Sequence, residues 1–382
     1  MKVLFFSHSR EPGGAELSML ELMERIDRGR FDPVLLAPGR GEAAERAGRL
    51  GIRILGLPFP PGVLGWRRDS GLSPGGLLSA IPMVAKLAGM LRSEKTDVIY
   101  THSQKAHVLG GLAGRLAGTR VIWHAREILV RPGLRTAMSA MSHLVPDRII
   151  CVSKAVAGQF PHVPGKLSVV PNGLDMAEVR RLAMEVPRRQ VRNELGVPPS
   201  APLVGMVSRL APGKGQHLFI EAAAGIAEKV PGAFFLIAGG PLFGEEGYLE
   251  ELRSETERRG LSKKIVFAGH LSNALPAMAA LDVLVHCPVV PEGFGRSLAE
   301  AMALGVPVAA TRIGAIPELV DDGETGLLAA PGDAGGLARA VVRLLEDARL
   351  RSKLASGAKR KVETGLRMDT AMATIEKILE SA

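Results

Sequence analysis

Short apolar, β-branched runs alternate with helix-like stretches along nearly the whole chain, and this alternation occurs twice with a gap between. The first half offers strands at 2–7, 33–37, 52–57, 97–101, 120–124, 147–152 and 167–170. The second offers 202–207, 233–238, 264–268, 281–286, 306–310 and 326–329. Continuous apolar strands separated by helices belong to parallel sheets covered on both faces. The gap, 172–202, is polar, Arg-rich and punctuated by prolines, and is the best hinge candidate. Two doubly wound α/β domains are expected, with ligands at the carboxyl ends of the strands. A length of 382 residues suits that division.

With 46% hydrophobic and 23% charged residues, the chain is neither disordered nor fibrous. Its two cysteines, Cys151 and Cys287, exclude a disulfide scaffold and a thiolate zinc site. The apolar start, Met1 to Phe6, is too short for a secretory signal. The stretch Gly76 to Leu91 holds Lys86 and falls short of the ~20 residues that span a bilayer. A cytoplasmic location is expected. Residues 1–185 hold 25 Lys and Arg against 16 Asp and Glu, whereas 186–382 hold 23 of each. The whole excess of +9 therefore lies in the first half. It suits a solvated basic surface, an anionic membrane or a phosphate-bearing substrate. No aromatic-interleaved basic motif speaks for nucleic acid.

Three loops carry the chemistry. Gly13-Gly14-Ala15-Glu16 follows the first strand and opens a helix, where bare backbone amides favour an anion. No full GxGxxG is present. Ser208-Arg209 through Lys214-Gly215 follows the first strand of the second half, and its two permanent cations suit a diphosphate. Glu292-Gly293-Phe294-Gly295-Arg296 precedes a helix carrying Glu300, so two carboxylates flank a glycine-rich helix start. His124 ends a buried strand, which suits either a structural hydrogen bond or a functional one. No His or carboxylate cluster has metal-ligand spacing and no Asp-x-Asp occurs, so no metal is expected.

With these segments stand Val170 to Asp175, Ile237 to Pro241, Gly314 to Glu318 and Gly323 to Leu328. Together, from residue 13 to 328, they resemble the retaining nucleotide-sugar glycosyltransferases of glycosyltransferase family 4. The resemblance implies the GT-B fold, two Rossmann-like domains facing across a cleft. They would span 1–183, on the acceptor side, and 184–366, on the nucleotide-sugar side. A last helix at about 367–382 would return to the first domain. It implies no cofactor beyond the donor substrate, a nucleoside-diphosphate sugar with UDP favoured. Arg209 and Lys214 would grip the diphosphate and Glu300 the ribose. Glu292 would stand near the hexose, with the amides of Phe294, Gly295 and Arg296 toward sugar and phosphate. Gly269, His270 and Leu271 would meet the base through backbone. Gly13 and Gly14 would let the first domain approach the diphosphate, with His124 beside the reacting sugar. Gly239-Gly240-Pro241 departs from the pattern, since an acidic or polar residue often separates these glycines.

The expected activity is sugar transfer to an acceptor hydroxyl with retained anomeric configuration, in cell-envelope polysaccharide, glycolipid or related glycoconjugate synthesis. A GT-B nucleotide-sugar epimerase and a non-catalytic nucleotide-sugar-binding protein are the alternatives. The glutamate spacing opposes the first, and intact Arg209, Lys214, Glu292 and Glu300 oppose the second. Phe59, Val63, Leu64 and Trp66 beside Arg67-Arg68 suit a headgroup boundary. Peripheral contact with an anionic membrane, at its inner face, is therefore expected, with a glycan or lipid-linked acceptor. Packing of this loop on its own domain is the alternative.

Overall fold

The computed structural model describes residues 1–9, 13–39, 41–64, 74–241 and 245–381. Among them, all thirteen expected strands form. The first sheet holds β1 (Lys2–Phe6), β2 (Asp32–Ala37), β3 (Arg53–Gly56), β4 (Val98–Thr101), β5 (Arg120–Ala125), β6 (Arg148–Cys151) and β7 (Leu167–Val169). The second holds β8 (Leu203–Val207), β9 (Phe234–Ala238), β10 (Ile265–Gly269), β11 (Val283–His286), β12 (Val308–Thr311) and β13 (Leu327–Ala329).

Every pairing is parallel, and the orders are β3-β2-β1-β4-β5-β6-β7 and β10-β9-β8-β11-β12-β13. Each sheet thus runs outward from its first strand, reverses, and runs out the other way. The reversal falls between β1 and β4 in one sheet and between β8 and β11 in the other. At such a switch point neighbouring connections leave on opposite faces and open a crevice above the strand ends. The central strands are apolar throughout because helices cover both faces: Val3, Leu4, Phe5, Phe6, Ile99, Tyr100 and Trp123 are fully buried.

The chain divides into residues Met1–Asn172 with Asp369–Ala382, and Gly173–Met368. The division precedes the 183/184 boundary expected from sequence because the helix Met176–Ala183 packs with the second unit. The 172–202 stretch is structured. Arg192, almost wholly buried, donates to the carbonyls of Ala280 and Ala201 and pairs with Asp282 at 2.7 Å. The helix Met368–Ser381 belongs mainly to the first unit, where Arg30 pairs with Glu376 and Glu380. Phe59 and Val63 are buried, and the Phe59 ring lies 5.9 Å from that of Phe6. These two side chains serve their own core and not a membrane face. Trp66 and Arg67-Arg68 lie outside the described residues.

Candidate active site

In the second unit the site grows from the ends of β8 and β11. Beyond β8 the chain passes Arg209 and enters a short turn, Pro212–Lys214. Gly215 follows with φ +83°, and a Cβ there would stand 2.0 Å from the Cys287 carbonyl. Only glycine lets this turn press against the end of β11, and the closeness brings Lys214 to Glu292. The Lys214 Nζ donates to Glu292 Oε1 at 2.6 Å.

Glu292 is fixed from three sides. His286, the last residue of β11 and itself buried, has Nε2 3.1 Å from Glu292 Oε2. The Ala315 amide donates to the Glu292 carbonyl at 2.9 Å. Gly314, at φ +58°, lies so close that a Cβ would come within 2.4 Å of that carbonyl oxygen. The Gly314 to Glu318 segment singled out in the sequence is therefore the buttress of Glu292. Burial pushes the Glu292 carboxyl upward, but the Lys214 charge and the His286 imidazole outweigh it and hold the group well below the usual carboxylate range. It is an anion at any ordinary pH.

Gly295, at φ +94°, turns the chain into the helix Arg296–Leu304. The first amides of a helix have no carbonyl partner within it and favour anions. One turn in, Glu300 Oε1 accepts from Arg296 Nε at 2.8 Å. Arg209 pairs instead with Glu245, Nη1 to Oε2 at 2.8 Å. The structure thus joins Lys214 to Glu292 and Arg296 to Glu300, and gives Arg209 a partner that the sequence does not suggest. Gly269 ends β10, and its carbonyl accepts from Gly239 at 2.8 Å. Gly269 and His270 are exposed and Leu271 is half-buried.

In the first unit, Gly13 precedes the helix Gly14–Arg25, and its amide donates to Glu16 Oε2 at 3.0 Å. That amide is engaged, whereas a Cβ at Gly14 would meet nothing within 4 Å. His124, at the end of β5, is buried, with Nδ1 2.5 Å from the Tyr100 hydroxyl and 3.2 Å from Arg126 Nη2. Burial, then the Arg126 charge, holds His124 well below its ordinary pKa, so it is neutral. Among the described residues no group of His, Cys, Asp and Glu has the arrangement of a metal site.

His286 and Glu245 are the partners that sequence reasoning missed. His286 carried a signal, a histidine at a strand end six residues before Glu292. Glu245 carried none.

Two family models match the chain in succession: Glycosyltransferase Family 4 over residues 12–178, and Glycosyl transferases group 1 over residues 187–361. The 2-deoxystreptamine glucosyltransferase of Streptomyces kanamyceticus is 30% identical over 336 residues, 81% of this chain and 83% of that one. The lipopolysaccharide core biosynthesis glycosyltransferase LpsE of Rhizobium meliloti is 28% identical over 359 residues, 93% and 92% of the two chains. The crystal structure of Anabaena HepE in complex with UDP-glucose superposes with a TM-score of 0.85 at 28% identity, covering all of both chains. The chain belongs to glycosyltransferase family 4, with two Rossmann-like domains of the GT-B fold. It is a glycosyltransferase, and the epimerase alternative is not favoured.

Proposed function

We propose that the protein transfers a hexose from a UDP-sugar to an acceptor hydroxyl with retention of anomeric configuration and without a metal ion. The observation that carries this reading is the Lys214–Glu292 pair beside the start of the helix Arg296–Leu304. A diphosphate arriving there meets Lys214, Arg209 and the helix amides, and its negative charge grows as the sugar bond breaks. Preorganised positive groups stabilise that charge without a metal. As Lys214 turns to phosphate, the Glu292 carboxylate is released toward the hexose, while Glu300 accepts from ribose hydroxyls. Gly269 to Leu271 meets the base through backbone. Gly14, open to a close approach, is assigned to the diphosphate and His124 to the sugar. The UDP-glucose of the HepE complex supports the donor, and LpsE supports an acceptor in cell-envelope glycoconjugates.

The test is a panel of UDP-, GDP- and ADP-sugars with glycan and lipid-linked acceptors, followed by analysis of the product anomer with and without EDTA. Transfer from a UDP-sugar with the donor's configuration, unchanged by EDTA, is expected. An inverted product, or activity lost to EDTA and restored by magnesium, would defeat the mechanism.

Peripheral membrane association belongs to the same proposal. Leu78 and Ile81 on the helix Pro74–Ser93 are 71% and 64% exposed, on a chain whose first half carries the entire cationic excess. Each basic residue near an anionic surface contributes about 1 kcal/mol. Sedimentation with anionic vesicles at low salt, released by high salt, is expected, with neutral vesicles as the control. Equal recovery in the supernatant with both would defeat it.

A further inference from the structure

The Val170 to Asp175 motif has no part in the chemistry above, yet its asparagine reaches His124 through one intermediary. Asn172 Oδ1 accepts from Arg126 Nη1 at 2.7 Å, and Arg126 Nη2 lies 3.2 Å from His124 Nδ1. A guanidinium has five donors and no acceptor. A proton on His124 Nδ1 would therefore point at another proton. The Tyr100 hydroxyl stands 2.5 Å from the same nitrogen and, able to donate or to accept, suits either tautomer. Arg126 is thus the neighbour that requires a bare Nδ1. In a neutral imidazole the proton then resides on Nε2. That nitrogen is buried and has no hydrogen-bond partner among the described residues.

We infer that Arg126, braced by Asn172, is a positioning residue that locks His124 in the neutral Nε2–H tautomer. In that form His124 is a hydrogen-bond donor to a hydroxyl of the transferred sugar and not a general base. This rests on the reading that His124 stands by the sugar. An unpartnered buried N–H is costly, so a hydroxyl that accepts from it is bound selectively over a group that cannot. Among the groups that influence His124, Tyr100 and His102 come from β4 and the stretch just after it, and His107 from the helix Gln104–Ala117. Burial lowers the pKa of both His102 and His107, the latter to about 3, so Arg126 is the one permanent charge among these neighbours. Nothing there drives His124 to change its protonation near neutrality.

The test is nitrogen-15 NMR of the full-length protein with labelled histidine, with His124 assigned by its disappearance in His124→Gln. From pH 5.5 to 8.5, the range scanned on the basis that an unperturbed histidine titrates at about 6.5, the expected spectrum is Nε2-protonated and constant. Arg126→Met should shift His124 toward the other tautomer, whereas Arg126→Lys, which retains a donor, should keep the wild-type pattern. Turnover gives a second readout. His124→Gln sets an amide N–H near the Nε2 position and should stay within about tenfold of wild type, whereas His124→Asn, with its N–H near Nδ1, should lose about 100-fold in kcat. A His124 that titrates in this range, an Nδ1–H signal in the wild type, an Arg126→Met spectrum identical to wild type, or equal losses in Gln and Asn would each overturn the inference. If no sugar donor is turned over at all, the glycosyltransferase chemistry fails, while the spectra still decide the tautomer.

Discussion

The two sheets share their strand order over six strands, but the groups at their carboxyl ends differ in kind. Beyond β8 and β11 stand ion pairs that water still reaches: Lys214 with Glu292, Arg209 with Glu245, and Arg296 with Glu300. At the ends of β4 and β5 stand His102, His107, His124 and Tyr100, all buried and all held neutral, with Arg126 the permanent charge beside them. One topology therefore supports two recognition chemistries. Permanent charges in partial contact with water can exchange partners when a diphosphate arrives. Desolvated neutral groups offer directed hydrogen bonds to uncharged hydroxyls and little attraction to an anion.

The largest expected effect comes from splitting the two glutamates. Glu292→Gln removes an anion held between Lys214 and His286, and should lower kcat by about 100-fold with a smaller change in donor KM. Glu300→Gln would weaken the proposed acceptance from ribose and should act mainly on donor KM, by about tenfold. Steady-state kinetics decides, and indistinguishable variants would break the assignment of separate roles to the two carboxylates.

Acid should separate the two units by a smaller margin. The buried histidines have pKa values below the ordinary 6.5, chiefly through burial. The unfolded chain therefore takes up protons first, and the stability these groups contribute is complete above pH 6.5 and is lost as the pH falls toward 3. Glu16, raised by burial, pulls the other way, but it is one group against three. Glu292 is depressed below 4.5, so its contribution is present above that value and is lost only as the pH falls further. Hydrogen exchange followed through pH 6.5 to 4.5 should show β4 and β5 losing protection while β8 and β11 keep theirs. The reverse order would break the comparison.

Much of this was legible in the residues. Strand positions follow from apolar runs, because burial on both faces leaves a continuous signature. Lys214 and Glu292 stand in glycine-rich turns and Glu300 one turn into the helix Arg296–Leu304, as their spacing suggests. Partnership was not legible. Glu245 reaches Arg209 across 36 positions of sequence. The Tyr100–His124–Arg126 contacts depend on the register of β4 against β5, which sets Tyr100 opposite Ile122 and Thr101 opposite Trp123. Phe59 and Val63 misled for the same reason, since a short apolar run reads alike whether it covers a core or a membrane.

The most direct measurement is calorimetric titration of UDP into the wild type and three variants. Lys214→Ala and Arg209→Ala would each remove a proposed charge-assisted contact to the diphosphate worth about 1.5–3 kcal/mol, so their affinity should fall by at least about tenfold. His124→Ala should bind UDP within about twofold of wild type, because the neutral His124 is assigned to the sugar and not to the diphosphate. Wild-type UDP affinity in Lys214→Ala and Arg209→Ala, or a loss in His124→Ala as large as theirs, would contradict the division between a charged donor site and a neutral sugar-facing one.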